Sequence, residues 1–115
     1  MKLDELEQHE KVVLMALLGV MARMDGQASG DEVRLLSRVG SQLGTDVFEA
    51  IAAEAAQLDG AELRAAVERV TRPEAREIIY ELLYDMAIRE TISEREAELL
   101  DWLVDAWGLP PRAGA

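Results

Sequence analysis

The chain has 115 residues, the length of a single domain, and half of them are hydrophobic, so it can bury a core. With 23 acidic and 12 basic residues its net charge is −11, which argues against nucleic acid because phosphate binding needs clustered Lys and Arg. The absence of cysteine excludes disulfides and thiolate chemistry. The first eleven residues are acidic and polar, unlike a signal peptide, and the longest apolar run, 12–22, is too short to span a bilayer. We therefore expect a soluble, cytoplasmic protein that is not inserted in a membrane.

Apolar residues recur at helical spacing along the whole chain and predict an all-α fold. We expect a compact bundle of six to seven helices in one domain, 1–109, followed by a frayed tail, 110–115. Six of the helices are placed by the pattern at 3–24, 30–43, 46–58, 60–70, 73–89 and 94–107.

Helix starts carry the capping-box pattern, in which a Ser, Thr or Asp is followed three residues later by Glu. It occurs four times: Ser29 to Glu32, Asp59 to Glu62, Thr71 to Glu74 and Ser93 to Glu96. Glycines are expected where helices stop, at Gly26, Gly44, Gly60 and Gly108.

Two stretches of the chain, 25–44 and 89–108, share the same residue at five of twenty positions when one is shifted by 64. The shared residues are a cap, a box glutamate, two core leucines and a stop glycine, beginning with Ser29 over Ser93 and Glu32 over Glu96. This internal repeat predicts two helical hairpins related by pseudo-symmetry.

Four acidic residues are candidates for a site between the hairpins. On a helical wheel Glu32 and Glu96 fall within apolar faces, Asp25 falls beside the core residues of the first helix, and Asp85 lies at the edge of an apolar face. Buried carboxylates need partners, which can be backbone N–H groups, an arginine or a cation. One interpretation is the capping box alone; the other is an all-oxygen site for Mg²⁺, Ca²⁺ or Mn²⁺. A calcium loop starting at Asp25 is excluded, because its twelfth position is Leu36 instead of an acid.

Two motifs resemble the TerB-like family of bacterial tellurite-resistance proteins. The first is Ala22-Arg23-Met24-Asp25-Gly26 followed by Glu32; the second runs from Ile92-Ser93-Glu94-Arg95-Glu96 to Trp107-Gly108-Leu109. The resemblance covers about 12–109. It implies an all-helical, non-enzymatic binding or scaffold module of a stress response, with an acidic cluster that binds divalent metal.

The chain departs from this family where the second repeat carries Arg89-Glu90 instead of Asp-Gly. A guanidinium at this place would repel a cation and could neutralise Asp25 or Glu32. Two states of the site therefore stay open. In one state, Asp85 or Glu90 takes the place of the missing aspartate as a ligand, and metal binds. In the other state, Arg89 is a built-in counter-ion, and the chain is a protein-interaction adapter.

The remaining features concern partners. Acidic stripes on the helices 73–89 and 94–107 are either solvated faces or a docking surface for a basic protein. Tyr84 and Trp102 fall off the centres of their apolar stripes and suggest a hydrophobic rim for a partner or a homodimer. His9 is expected at the surface, and no nucleophile motif supports a hydrolase built on it.

Overall fold

The structure is a computed structural model, and it describes residues 5–24, 38, 40–42, 44–88 and 94–109. The regular secondary structure in these ranges is all helical, as the sequence predicts. Five helices have defined bounds: α1 (Gln8–Met24), α2 (Thr45–Ala56), α3 (Gly60–Glu68), α4 (Pro73–Ile88) and α5 (Glu94–Trp107). Within the predicted helix 30–43, residues 38 and 40–42 are described and are helical. Three predicted parts lie outside the described residues: the tail 110–115, most of the first copy of the internal repeat (25–37, 39 and 43) and the start of its second copy (89–93).

Helix α1 occupies the centre of the molecule. It contacts each of α2, α3, α4 and α5, and its residues 12–18 are buried on every side. This burial follows from the sequence, because the run 12–22 is apolar all round instead of amphipathic. The radius of gyration is 13.2 Å, close to the ~13 Å expected for a compact chain of this length.

The first helix begins at Gln8, five residues later than the sequence predicts. The side chain of Glu10 accepts a hydrogen bond from the Glu7 N–H over 2.7 Å, and the Lys11 N–H donates to the Glu7 carbonyl over 3.0 Å. Glu7 is therefore the N-cap, and Glu10 at the third helical position supplies the reciprocal half of a capping box. Leu6, just before this turn, is buried.

Two of the predicted box positions can be compared with described helix starts. At α3 the box is complete: the Glu62 N–H donates to Asp59 over 2.8 Å and the Asp59 N–H donates to Glu62 over 3.2 Å. At α4 the predicted start at residue 73 is confirmed, but Thr71 is not the cap, because the Arg76 N–H donates to the Arg72 carbonyl and Arg72 precedes the helix. Pro73 at the first helical position, with its fixed φ, sets this start.

Glycines end two helical segments as expected and begin a third. Gly44 has a φ of 90° and precedes α2, and Gly108 has a φ of 62° after α5. The Leu109 N–H donates to the Val104 carbonyl over 3.0 Å, which is the Schellman pattern. Gly60 is instead the first residue of α3, since Asp59 is its N-cap.

A single arginine joins the ends of three helices. Arg76 of α4 donates from Nε to the Val70 carbonyl over 2.7 Å and from a terminal nitrogen to the Trp107 carbonyl over 3.2 Å. Trp107 in turn donates its indole N–H to the Val67 carbonyl over 2.9 Å. Neither α3 nor α5 has a basic residue in its last turn, so Arg76 supplies the positive charge that helix C-termini favour. No helix in the described ranges combines the length and apolar character needed to cross a membrane.

Candidate functional site

Glu96 faces the protein core, as its place on the helical wheel predicts. It is the third residue of α5, whose start at Glu94 directly follows Ser93, and its side chain is 3% exposed. Leu100, Leu103 and Trp107 are the other buried residues of α5. A carboxylate at this depth is held by specific partners, because an unpaired buried charge is costly.

The other predicted ligands are placed differently. Asp85 of α4 is exposed. The sequence predicts it at the edge of the apolar face of this helix, and its exposure places it on the solvent side of that edge. Asp25, Glu32, Arg89 and Glu90 lie outside the described residues, so the four-carboxylate cluster and the Arg89 salt bridge stay predictions.

A second inward glutamate, Glu10 of α1, has partners that are fully described. Its side chain is 0% exposed. Arg72 donates from Nε to Oε2 over 3.0 Å and from Nη2 to Oε1, while the Glu7 N–H also donates to Oε1. The same Nη2 donates to the Glu5 carbonyl over 3.2 Å. This forked contact joins the start of α1 to the start of α4, 62 residues apart in the chain.

The surroundings of Glu10 determine its protonation. Burial by itself would raise the pKa of this carboxyl group. The hydrogen bond from Arg72, the Glu7 N–H and the positive charge of Arg72 outweigh the burial and hold the pKa of Glu10 below its usual range. Glu10 is therefore a structural carboxylate that is charged at neutral pH.

One group of possible metal ligands occurs in the described part of the chain, formed by Glu7, His9 and Glu10. The Nδ1 atom of His9 lies 3.5 Å from Oε2 of Glu7, and His9 is exposed, as predicted. Both oxygens of Glu10 already accept hydrogen bonds, and the guanidinium of Arg72 lies against them. A cation placed here would face that positive charge, so the group does not fit a metal site.

The acidic stripes of α4 and α5 face solvent. Their members are all exposed: Glu77, Glu81, Asp85, Glu94, Glu98, Asp101 and Asp105. Like charges at a spacing of three or four residues oppose each other by a few tenths of a kcal/mol per pair. Asp101 and Asp105 also lie in the C-terminal half of α5, where the helix dipole disfavours them. This arrangement is tolerated in solvent and attracts positive charge.

Aromatic residues divide between the core and its edge. Tyr80 and Trp107 are buried, whereas Tyr84 and Trp102 are half-buried and pack against the core from its rim. The rings of Tyr80 and Tyr84 stack with centroids 6.2 Å apart. Both residues thus lie off the centres of their apolar stripes, as expected, and the hydrophobic rim for a partner or a homodimer stays a prediction.

An apolar groove, here called the α1–α2 groove, runs between these two helices and the start of α3. It encloses about 270 Å³ and is open on one side. The residues that line it are all of apolar types: Met15, Ala16, Gly19, Val20, Phe48, Ala52, Ala55, Ala56, Leu58 and Leu63. Since no titratable side chain lines it, the groove offers shape and apolar surface but no acid or base for catalysis.

Comparison with known proteins gave no match, whether with family models, with curated proteins or with solved structures.

Sequence reasoning missed Glu10, although two local signals mark it. It lies within the apolar stripe that Leu6, Val13 and Leu17 form at helical spacing, so an acid there must point inward. It also follows Glu7 by three residues, the box spacing, but Glu is not a preferred N-cap residue. Arg72 is too distant in sequence for any local pattern to pair it with Glu10.

Proposed function

We propose that this chain is a non-enzymatic binding module of the TerB-like type that acts in a bacterial stress response of the tellurite-resistance kind. In this proposal two helical hairpins meet and hold a divalent cation, Mg²⁺, Ca²⁺ or Mn²⁺, between them. The ligands are Asp25, Glu32, Asp85 and Glu96. The observation that supports it is the burial of Glu96, a carboxylate at 3% exposure near the start of α5.

A box glutamate can take part in capping and in binding a cation, because its two oxygens accept separately. Both functions use carboxylate oxygens: a box glutamate accepts the N-cap N–H, and a hard cation prefers carboxylate oxygen as its ligand. Asp85 would close the site from its exposed edge on α4. A cation bound by both hairpins stabilises the fold by about 2.7 kcal/mol at a concentration one hundred times its Kd.

The test is calorimetric titration of the three cations into chelator-treated protein. We expect a binding isotherm and a raised Tm for the natural chain, and at least tenfold weaker binding for Glu96→Gln. Glu62→Gln is the matched control, because Glu62 occupies the same box position in α3 but is exposed. Flat titrations of the natural chain would remove the cation from the proposal.

A second candidate, an adapter for a basic protein partner, is favoured by the contacts of Glu10. This inward box glutamate is neutralised by an arginine of the same chain, which is the arrangement proposed for Arg89 with Glu32 or Asp25. The exposed acidic stripes of α4 and α5 would then serve as the docking face.

Arg89→Gln separates the two candidates. If Arg89 is a counter-ion, the natural chain gives a flat titration, and the variant loses thermal stability and gains cation affinity because the repelling charge is removed. If Arg89 is not near the site, the variant binds cations as the natural chain does.

A further inference from the structure

We propose that the α1–α2 groove is the docking site for a partner helix that is amphipathic and positively charged. The inference rests on the adapter form of the proposed function and names the surface and the class of partner. The partner's apolar side chains enter the groove, and its Lys and Arg side chains lie along the acidic flanks.

The dimensions of the groove fit the face of one helix. Along α2 its lining extends from Phe48 to Ala56, which is a rise of about 12 Å at 1.5 Å per residue. Anchors at positions i, i+3 or i+4, and i+7 of a docked helix span about 10.5 Å by the same measure. Small residues such as Ala16, Gly19 and Ala52 alternate with large ones in the lining, so the groove has room for inserted side chains.

A small-molecule ligand fits the groove less well than a helix does. Its volume of about 270 Å³ is below the range of roughly 300–1,000 Å³ that is typical of small-molecule sites. Such sites also place a few polar side chains to orient the ligand, whereas no polar side chain lines this groove. A groove lined by apolar side chains instead matches the helix-in-groove mode of recognition.

Charge selects the kind of helix. Exposed acids directly adjoin lining residues in the sequence: Glu49 on α2, Asp59 at the N-cap of α3 and Glu62 on α3. Glu54 also adjoins the lining, but its side chain accepts a hydrogen bond from Gln8 at the start of α1. Arg64 is the one basic residue that adjoins a lining residue in the sequence, so acids outnumber basic residues there. A second copy of the chain, with its own net charge of −11, would be repelled, whereas a cationic helix is attracted and oriented.

The test measures binding of a synthetic helical peptide that has leucines on one face and lysines on the other. A peptide of the same composition in scrambled order is its control. We expect the helical peptide to bind at least tenfold more tightly than the scrambled one. Ala52→Phe fills the groove and should weaken binding at least tenfold, whereas Ala53→Phe, at an exposed position of the same helix, should change it less than twofold.

Charge variants test the flanks. Glu49→Gln with Glu62→Gln should weaken binding several-fold, and more than Glu98→Gln with Asp101→Asn, which removes the same charge from α5. If the α5 pair abolishes binding while Ala52→Phe does not, the adapter function stands but the groove is the wrong surface.

Three other results overturn the proposal. Equal binding of both peptides would mean that only net charge matters. A large drop in Tm for Ala52→Phe, with no peptide bound, would mean that the chain itself fills the groove. A sedimentation mass that doubles with concentration and falls back in Ala52→Phe would assign the groove to a second copy.

Discussion

Replacing Glu10 by Gln should reveal how much a buried, charged cap contributes to this fold. The carboxylate accepts three hydrogen bonds, from the Glu7 N–H and from Nε and Nη2 of Arg72. An amide keeps the shape but turns one acceptor oxygen into an NH₂ group that faces the guanidinium. Hydrogen bonds to charged groups contribute about 1.5–3 kcal/mol and neutral ones about 0.5–1.5 kcal/mol.

The net loss is smaller than the sum of these bonds, because the amide is easier to bury than the carboxylate. We expect Glu10→Gln to lower the free energy of unfolding at pH 7 by about 1–2 kcal/mol. The whole domain is expected to be stable by roughly 6–17 kcal/mol on a per-residue basis, so the change is measurable by urea unfolding followed through the two tryptophans.

The pH dependence makes this prediction specific. The pKa of Glu10 lies below its usual range in the folded protein, so its contribution is fully present above the unfolded pKa of about 4.3. The contribution is lost as the pH falls through the lower, folded pKa. The difference between the natural chain and Glu10→Gln should therefore shrink between pH 7 and pH 3.

A difference that stays constant over this range, or a variant more stable than the natural chain at pH 7, would refute the reasoning. Glu62→Gln is the control, because its box is exposed and should cost only a few tenths of a kcal/mol. Arg72→Met, which leaves the Glu10 carboxylate buried beside an apolar side chain, should raise the pKa of Glu10, as carboxyl titration by NMR would show.

Further predictions concern the backbone, the core and the caps. Gly44→Ala should destabilise the fold by about 1–3 kcal/mol because φ is 90° there, whereas Gly60→Ala, in a helix with open space around it, should be neutral or stabilising in thermal melts. Leu83→Ala should cost about 2–5 kcal/mol in urea unfolding, since Leu83 is 0% exposed; exposed Val47→Ala should cost far less. Asp59→Ala should cost about 1 kcal/mol by removing the α3 cap. Equal effects within either matched pair would contradict these assignments.

Local patterns were sufficient to predict the helices wherever capping and periodicity agreed. The last helix was predicted at 94–107 and is observed at Glu94–Trp107, because a box residue, an apolar stripe and a stop glycine all mark it. The inward direction of Glu96 followed from the same periodicity. At Pro73 the helix start was predicted correctly, but the box pattern alone assigned the cap to Thr71, whereas the proline at the first helical position makes Arg72 the residue before the helix.

Contacts between distant parts of the chain could not be predicted. The Glu10–Arg72 and Arg76–Trp107 contacts join residues 62 and 31 positions apart, and they depend on how the helices cross. The α1–α2 groove is also a product of this crossing, because its lining comes from three helices and the turn between two of them. The predicted convergence of Asp25, Glu32, Asp85 and Glu96 likewise depends on how the helices cross, so it does not follow from the burial of Glu96 alone.

The central position of α1 has a consequence for the synthesis of the chain. Its buried residues, 12–18, are made before α2, α3, α4 and α5, all of which α1 contacts, yet α5 is complete only at residue 107, which is 83 residues after α1 ends at residue 24. At translation rates of about 5–20 residues per second, this helix waits roughly 4–17 seconds for its last neighbour. During that interval its apolar surface is open to chaperones and to other nascent chains, so among α1 to α5 the helix with the longest buried run is also the one that waits longest for its neighbours.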